Sequence, residues 1–471
     1  MIKKVLVANR SEIASRIIRA CKELGINSVA IYSEEDSTAL YVRKADEAYL
    51  VGPGPIEGYM NPYRIIDVAK RVNADAIHPG YGFLAENPEF AKQCKLHNII
   101  FIGPDSDCMK RLGNKLEAKS LAEKLGIPVL PGSKNLESPE ESIIAAEKIG
   151  YPVIFKSPMG GGGRGMRVAR NEKELKKFFP IVRMETKNFF DDDSVYIEKY
   201  LENPHHIEFQ MLSDSHGKIV HLFERDCSIQ RRHQKIIEIA PSLLLNDKTR
   251  QKIGECSKML LNECGYENAC TIEYLVDRDM NFYFMEANTR LQVEHTVTEE
   301  ITGIDIVQEQ IKIASGMPLS INQEDVHIHG FAIECRINAE NPKNGFLPNT
   351  GMITAYYSPG GIGVRIDGTV YKDYIIPEYY DSLLAKLTVR GRSWDETVRR
   401  LKRALGEFVI RGIKTTLPYL LEIAMYPDFE KGIFDISFID SHPGLLNYKQ
   451  DLLMEDLAAI IGTTVGAYEG L

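Results

Sequence analysis

The sequence predicts a chain of mixed α/β and α+β class: an N-terminal doubly wound parallel sheet, a central unit with a mobile Gly-rich lid, and a strand-rich C-terminal unit. Three observations predict it. Short apolar runs alternate with helical patterns from residue 1 to about 113, and strand–helix alternation at that spacing indicates parallel strands with crossover helices. Four consecutive glycines, Gly160 to Gly163, lie between two strand-like runs. Beyond Gly330 the chain turns strand-rich, with Gly and Pro turns. The 471 residues suffice for about three domains.

In chain order, Val5-Leu-Val, Val29-Ala-Ile and Ala76-Ile-His read as strands, residues 13–24 and 63–72 as helices, and Phe101-Ile opens a further strand. No GxGxxG follows the first strand, only Asn9-Arg-Ser-Glu12, so this sheet need not bind a dinucleotide. In open α/β sheets ligands lie at the strand C-termini. Asn9-Arg10 and His78-Pro-Gly-Tyr-Gly82 fall there, the latter equally well as a rigid Pro-Gly turn. The second unit spans 114–329, with a helix over 115–125, a run Ile127-Pro-Val-Leu-Pro131, and a smaller lobe over about 132–204. The third spans 330–446 and carries a helix over 395–406. The tail, 447–471, reads as an amphipathic helix through Leu452, Leu453, Leu457, Ile460 and Ile461, suited to core packing or to a partner.

Composition excludes several classes. A 44% hydrophobic and 26% charged share is that of a soluble globular protein. A net charge of -9 without a basic block argues against nucleic acid. The eight cysteines form no CxxC pair and read as thiols of a reducing compartment. The first apolar run is too short for a signal peptide, and no run reaches membrane-span length. The expectation is a cytoplasmic protein that does not contact membranes.

The segment from Thr271 to His295 carries the most information. Tyr274-Leu-Val and Phe282-Tyr-Phe-Met read as strands joined by Asp277-Arg-Asp-Met-Asn281. Folding that hairpin sets Glu273 opposite Glu286, and directly opposed residues have Cβ atoms roughly 4.5–5.5 Å apart. Two carboxylates so close require a cation. Alternation, if the chain stays extended, puts Asn288, Arg290, Gln292 and Glu294 on the same face. Hard oxygen ligands favour Mg²⁺ or Mn²⁺ over zinc. A solvated face of an amphipathic strand would show the same alternation, but this mixture of acid, amide and guanidinium favours a site.

The Gly160–Gly163 run, followed by Arg164-Gly165, sits in neither a Rossmann turn nor a P-loop. It fits a flap whose backbone N–H groups close over phosphates, or a flexible hairpin tip. Lys156 and Lys115 are candidate phosphate contacts, or surface lysines. Residues 224–241 are too densely polar to be a strand core, and Arg231, Arg232, His233 and Lys235 suit an anionic ligand as well as they suit a solvated loop.

Together these segments resemble the ATP-grasp enzymes, and within them the biotin carboxylases. The motifs are Lys156-x-x-x-Gly-Gly-Gly-Gly-Arg-Gly, Glu198-Lys-Tyr-Leu201, Glu224-Arg-Asp-Cys-Ser-x-Gln-Arg-Arg-His-Gln-Lys235, Glu286-x-Asn-x-Arg-x-Gln-Val-Glu-His295, Glu334-Cys-Arg-Ile-Asn-Ala-Glu340 and Tyr380-Asp-Ser-Leu-Leu-Ala-Lys386. The resemblance runs from Met1 to about Pro443.

The resemblance implies a central ATP-grasp fold that carboxylates biotin with ATP and bicarbonate through carboxyphosphate. It implies that Lys115, Lys156, His206 and the hinge residues Glu198, Lys199 and Leu201 hold ATP. Gly162 and Gly163 would lie over its phosphates, with Gln230 and His233 assisting. Glu273, Glu286 and Asn288 would bind Mg²⁺ or Mn²⁺; Arg290, Gln292 and Val293 would hold bicarbonate; Glu294 would be the base; Lys235 and Arg336 would serve the biotin step. No Ala-Met-Lys-Met-like site occurs, so the expected partners are a separate biotin carboxyl carrier protein and a carboxyltransferase subunit, with homodimerisation common in the family. The tail is similar to extensions in the stand-alone subunits of divided carboxylases that act on 2-oxo acids, which tilts the acceptor toward pyruvate or 2-oxoglutarate. Three departures from the family pattern stand out: Ser11 for glycine, Pro158-Met159 at the flap, and Thr296 for proline. They bear, in turn, on a turn, on flap stiffness and on how firmly the loop of Glu294 is held, and are expected to tune ATP affinity or closure without removing activity.

Overall fold

In the computed structural model, which describes residues 2–158 and 166–448 with Thr464 and Tyr468, the apolar N-terminal run becomes strand Lys4–Val7 at the centre of a five-stranded sheet. The sheet order is Glu47–Gly52, Asn27–Ser33, Lys4–Val7, Ala76–His78, Ile100–Phe101, every neighbour parallel. Val5 and Val7 pack on one side with Ile13 and Ile17, and Leu6 on the other with Ile65 and Phe90. Burial of both faces explains the unbroken apolar runs. The edge strand Glu47–Gly52 is absent from the sequence reading because its residues are mostly half-buried and mixed in polarity.

The predicted helices form as Ser11–Glu23 and Pro62–Arg71, the second capped by Asn61, which accepts from the Arg64 N–H. Strand order reverses between Lys4–Val7 and Ala76–His78, the crevice where open sheets bind ligands. The two loops there are tied together: Asn9 Nδ2 donates to the carbonyls of Pro79 and Tyr81, both at 2.7 Å.

The other large sheet has eight antiparallel strands: Phe282–Asn288, Asn268–Val276, His205–Ser213, Ile219–Arg231, Gln234–Ala240, Phe331–Asn338, Leu383–Gly391, Val364–Gly368. Its strands come from both sides of residue 330, joined where Gln234–Ala240 pairs with Phe331–Asn338. Two of its central strands overturn a sequence expectation: residues 224–241 are strand core, not a polar loop. The charges are tolerated because they find partners on neighbouring strands and on the helices packed against them. Arg225, fully buried, donates to Glu208, Gln210, Thr271 and Thr298, Arg250 Nε lies 2.9 Å from Glu224, and His205 lies 2.9 Å from Asp226. A buried charge is expensive only when unpaired.

A smaller lobe carries strands Arg167–Ala169, Val153–Lys156 and Tyr196–Lys199 under helices Pro139–Ile149 and Glu172–Phe190, with its own core of Phe155, Leu175, Phe179, Val182 and Ile197. Gly162 and Gly163, Met159, and the amphipathic helix expected in the tail lie outside the described residues. The helices expected over 115–125 and 395–406 form as Lys115–Lys124 and Trp394–Glu407, capped by Asn114 and Ser393. Among the described residues no helix is long and apolar enough to cross a membrane.

Candidate active site

The hairpin Asn268–Val276 and Phe282–Asn288 does set Glu273 opposite Glu286, but through a bulge. Tyr274 pairs with Phe284, and the register then shifts so that Glu273 pairs with Glu286, leaving Met285 as the extra residue. In a regular strand Glu286 would share the face of Phe284, which is core. The bulge turns it onto the face of Glu273, the re-aiming that bulges perform beside active sites. The chain does not stay extended past Asn288; it loops through 289–294 into helix His295–Thr302. Arg290, Gln292 and Glu294 reach the site from that loop rather than by strand alternation.

They line a cavity of about 710 Å³ where all three units meet. Asn9 and Tyr81 come from the parallel sheet, Lys156 and Leu201 from the small lobe, and Arg336 and Tyr380 from the C-terminal unit. Of the described sequence-predicted residues, Lys115, Lys156, Lys199, Leu201, His206, Gln230, His233, Lys235, Glu273, Glu286, Asn288, Arg290, Gln292, Val293, Glu294 and Arg336 all line it. Glu198 does not: its carboxylate lies behind Lys156, accepting from Lys156 Nζ at 2.7 Å and from Lys119. Arg231 and Arg232 also fall away, the first stacked 3.8 Å from the Phe346 ring centroid, the second in the turn of the hairpin.

The floor is a network of paired charges. Lys235 Nζ lies 2.6 Å from Glu208, 3.0 Å from Glu273 and 2.7 Å from Glu294. Arg336 joins Glu238 at 2.6 Å to Glu294 at 2.9 Å. Arg290 is held by Glu86 at 2.8 Å and Gln292 at 3.0 Å. Lys115 Nζ lies 2.6 Å from Glu286. Gln230 donates to His206 Nδ1 at 2.7 Å, which leaves Nε2–H to donate to Glu273 at 2.7 Å.

Burial alone would raise the carboxyls of Glu273 and Glu294. Lys235 and His206 hold the first, and Lys235, Arg336 and Arg225 the second, below the usual carboxylate range. Glu198, buried but flanked by Lys156 and Lys119, is pulled down to about 2. All are anions at neutral pH.

Glu273, Glu286 and the amide oxygen of Asn288 are a hard-oxygen set suited to Mg²⁺ or Mn²⁺. Cys227 lies close to Glu208 and Glu294, but burial keeps its thiol protonated, so it supplies no soft ligand.

Comparison with known proteins decides the family. Residues 1–109 match the family described as biotin carboxylase, N-terminal domain, and 334–441 the biotin carboxylase C-terminal domain. Residues 114–322 match the carbamoyl-phosphate synthase L chain, ATP binding domain. The 2-oxoglutarate carboxylase small subunit of Hydrogenobacter thermophilus is 49% identical over 472 residues, covering 100% of both chains. Biotin carboxylase 1 of Bacillus subtilis is 50% identical over 445 residues, 94% of this chain and 99% of that one. The crystal structure of the biotin carboxylase domain dimer of the Hydrogenobacter enzyme, in complex with MgADP, ADP and bicarbonate, superposes with TM-score 0.93 at 50% identity, covering 96% of this chain and 100% of that one. The chain belongs to the biotin carboxylase family.

As a biotin carboxylase it is an enzyme of the ligase class, and the fold expected from its motifs is the fold observed. The departures take definite form. Ser11 sits at φ +61°, where glycine is free of strain and serine costs about 1 kcal/mol; the turn is kept. Thr296 tethers the start of the helix that follows Glu294. Buried in the first turn of helix His295–Thr302, its hydroxyl contacts the Glu334 carboxylate and lies 2.7 Å from the Thr388 hydroxyl.

Several residues of this network receive no role from sequence: Glu86, Lys119, Glu208 and Glu238, and also Arg225 and Lys386, although these two stand within quoted motifs. Glu208 was within reach, since His206, Glu208 and Gln210 alternate with Ile207, Phe209 and Met211 along His205–Ser213. Lys386, fully buried, donates to the Val293 carbonyl at 2.8 Å from a distant strand, and nothing local announces that.

Proposed function

We propose that this enzyme carboxylates biotin borne on a separate carrier protein, consuming ATP and bicarbonate, as the first half-reaction of a multi-subunit carboxylase of the cytoplasm. The observation that carries the reading is the Glu294 carboxylate, gripped by Lys235 and Arg336 on the cavity floor beside Arg290 and Gln292. That is an anionic base among permanent cations, the arrangement that binding and deprotonating bicarbonate requires.

Lys115, Lys156, His206, Gln230, His233 and the backbone of Lys199 to Leu201 surround the ATP end, with Gly162 and Gly163 assigned to its phosphates by motif. Glu198 acts by orienting Lys156. Glu273, Glu286 and Asn288 would hold Mg²⁺ or Mn²⁺, which when bound supplies neutralisation of phosphate charge. Arg290, Gln292 and the Val293 backbone position bicarbonate. Glu294 takes its proton, and a bicarbonate oxygen attacks the γ-phosphorus as the bond to ADP breaks, giving carboxyphosphate. Catalysis of such a transfer is mainly positioning and charge neutralisation. Glu294 is a weak base while two cations share it; those same cations favour the deprotonated bicarbonate, which lowers the cost of the transfer. Cleavage of the C–O bond of carboxyphosphate releases CO₂ and phosphate beside biotin, and the phosphate takes the ureido N–H proton. The ureido oxygen gains charge that Arg336, a permanent cation, stabilises, and the ureido nitrogen then bonds to CO₂.

A homodimer is supported by the dimeric relative, and a carboxyltransferase partner by the 2-oxoglutarate carboxylase likeness along the whole chain, which favours a 2-oxo acid as final acceptor. The test is phosphate release from ATP with Mg²⁺ and bicarbonate, with and without biotin or a biotinylated carrier domain, beside Glu294→Ala. Release that needs bicarbonate, rises with biotin and collapses in the variant supports the proposal. Release indifferent to biotin and carrier overturns it in favour of another ligase of this fold.

A further inference from the structure

Behind Arg336, away from the cavity, two glutamates face each other. Glu238 on strand Gln234–Ala240 and Glu334 on strand Phe331–Asn338 are register partners, and Glu334 is also the partner of Thr388 on Leu383–Gly391. Both glutamates are fully buried, and opposed residues hold their Cβ atoms roughly 4.5–5.5 Å apart. One oxygen of each is engaged: Glu238 Oε1 accepts from Arg336 Nε at 2.6 Å, and Glu334 Oε2 meets the Thr296 hydroxyl. The other two, Glu238 Oε2 and Glu334 Oε1, are buried without a hydrogen-bond partner among the described residues.

Two ionised carboxylates in this position would repel, and each would bury an unsatisfied acceptor at a cost of about 1–3 kcal/mol or more. The charged groups facing the pair do not remove the conflict. These are Arg336, Lys235 and Glu294 around Glu238, and Lys386, Arg336 and Glu294 around Glu334. Arg336 already serves Glu238 and Glu294. Lys235 serves three other carboxylates, and Lys386 donates to the Val293 carbonyl and pairs with Glu12 at 3.3 Å. A single proton resolves both problems, since it turns one orphan acceptor into a donor for the other.

We propose that Glu238 and Glu334 share one proton, and that this acid pair is a positioning device for Arg336. With the pair protonated once, Arg336 divides its guanidinium between Glu238 and Glu294; with both ionised, a third carboxylate would compete for it. Burial pushes Glu238 up to about 8 and Glu334 to about 7, which agrees with the geometry. The shared proton stands independently of the reaction, while its catalytic consequence rests on the roles proposed above for Arg336 and Glu294.

The test is infrared difference spectroscopy of the full chain at about pH 6, where ordinary carboxyls are ionised, reading the carbonyl stretch of protonated carboxyl groups and its shift in D₂O. Because one proton serves two carboxyls, Glu334→Gln and Glu238→Gln are each expected to remove the same single band. Thr296→Val, which takes away a hydroxyl that favours the ionised form, is expected to move the alkaline loss of that band to higher pH, and needs no change in the acids themselves. Glu238→Gln should also lower kcat for biotin-stimulated phosphate release by about tenfold or more, as one charge-assisted hydrogen bond implies, with the KM for ATP unchanged. A band that survives both glutamine variants overturns the proposal, as does one lost in Glu334→Gln alone or an unmoved titration in Thr296→Val. Wild-type enzyme without biotin-stimulated turnover but with the band behaving as described would overturn the proposed function and leave the proton pair standing.

Discussion

Replacing Lys235 with methionine keeps the length of the side chain and removes the ammonium that Glu208, Glu273 and Glu294 share at 2.6, 3.0 and 2.7 Å. One such contact is worth roughly 6 kcal/mol gross at an effective dielectric of about 20. Desolvation of the ammonium offsets much of the sum, and Arg225 and Arg336 remain for Glu208 and Glu294. Among the described residues Glu273 keeps only His206 and the Asn288 amide as hydrogen-bond partners. Breaking a buried pair from one side typically costs about 3–5 kcal/mol, and that is the loss expected at about pH 7.5. The pH dependence has a definite sign. Glu273 and Glu294 are held below their usual range chiefly by this ammonium against burial. A carboxyl depressed in the folded state stabilises above its unfolded value of about 4.3 and loses that contribution as pH falls through the folded value. Without Lys235 these carboxyls titrate upward, so the penalty shrinks toward about pH 5 by roughly 1.4 kcal/mol per pH unit for each one that takes up a proton. Equilibrium urea unfolding followed by the single tryptophan, Trp394, whose indole donates to the Glu430 carbonyl at 2.8 Å, reads the difference. A penalty under about 1 kcal/mol at pH 7.5, or an equal penalty at both pH values, would refute the reasoning.

Three further outcomes follow from single positions. Glu86→Ala frees the Arg290 guanidinium it holds at 2.8 Å; because Glu86 is partly exposed, the effect is about 1 kcal/mol, seen as a roughly fivefold rise in the KM for bicarbonate with kcat little changed. Ser11→Gly relieves the left-handed φ of +61° against a larger unfolded-chain entropy, for a net gain of about 0.5 kcal/mol, measurable as a higher Tm. Gly330→Ala would place a Cβ 2.1 Å from the Gly391 carbonyl at φ +77°, so a loss of at least about 2 kcal/mol is expected in urea unfolding.

The regions of this protein legible in sequence are those whose partners are close along the chain. Four of the five parallel strands and the helices over 13–24 and 63–72 follow from local pattern. So does the pairing of Glu273 with Glu286, although the Met285 bulge that makes it possible leaves no mark of its own. Of the described residues that the motifs assigned to the site, all but Glu198 line the cavity, among many others that carried no assignment. Polarity misleads over residues 224–241, where it suggests exposure, and the contact of the Thr296 hydroxyl with Glu334 carries no local signal.

What sequence alone determined, then, is which chemical groups the enzyme has and the local elements that carry them. Tertiary structure decided which charges neutralise which. Lys235 meets Glu208 across 27 residues, Arg336 meets Glu294 across 42, Lys386 meets Val293 across 93, and Arg290 meets Glu86 across 204. A charged residue is read as exposed because burying it alone is prohibitive. Once the fold brings its counter-charge alongside, the same residue belongs in the core, and only the assembled sheet shows where that counter-charge comes from.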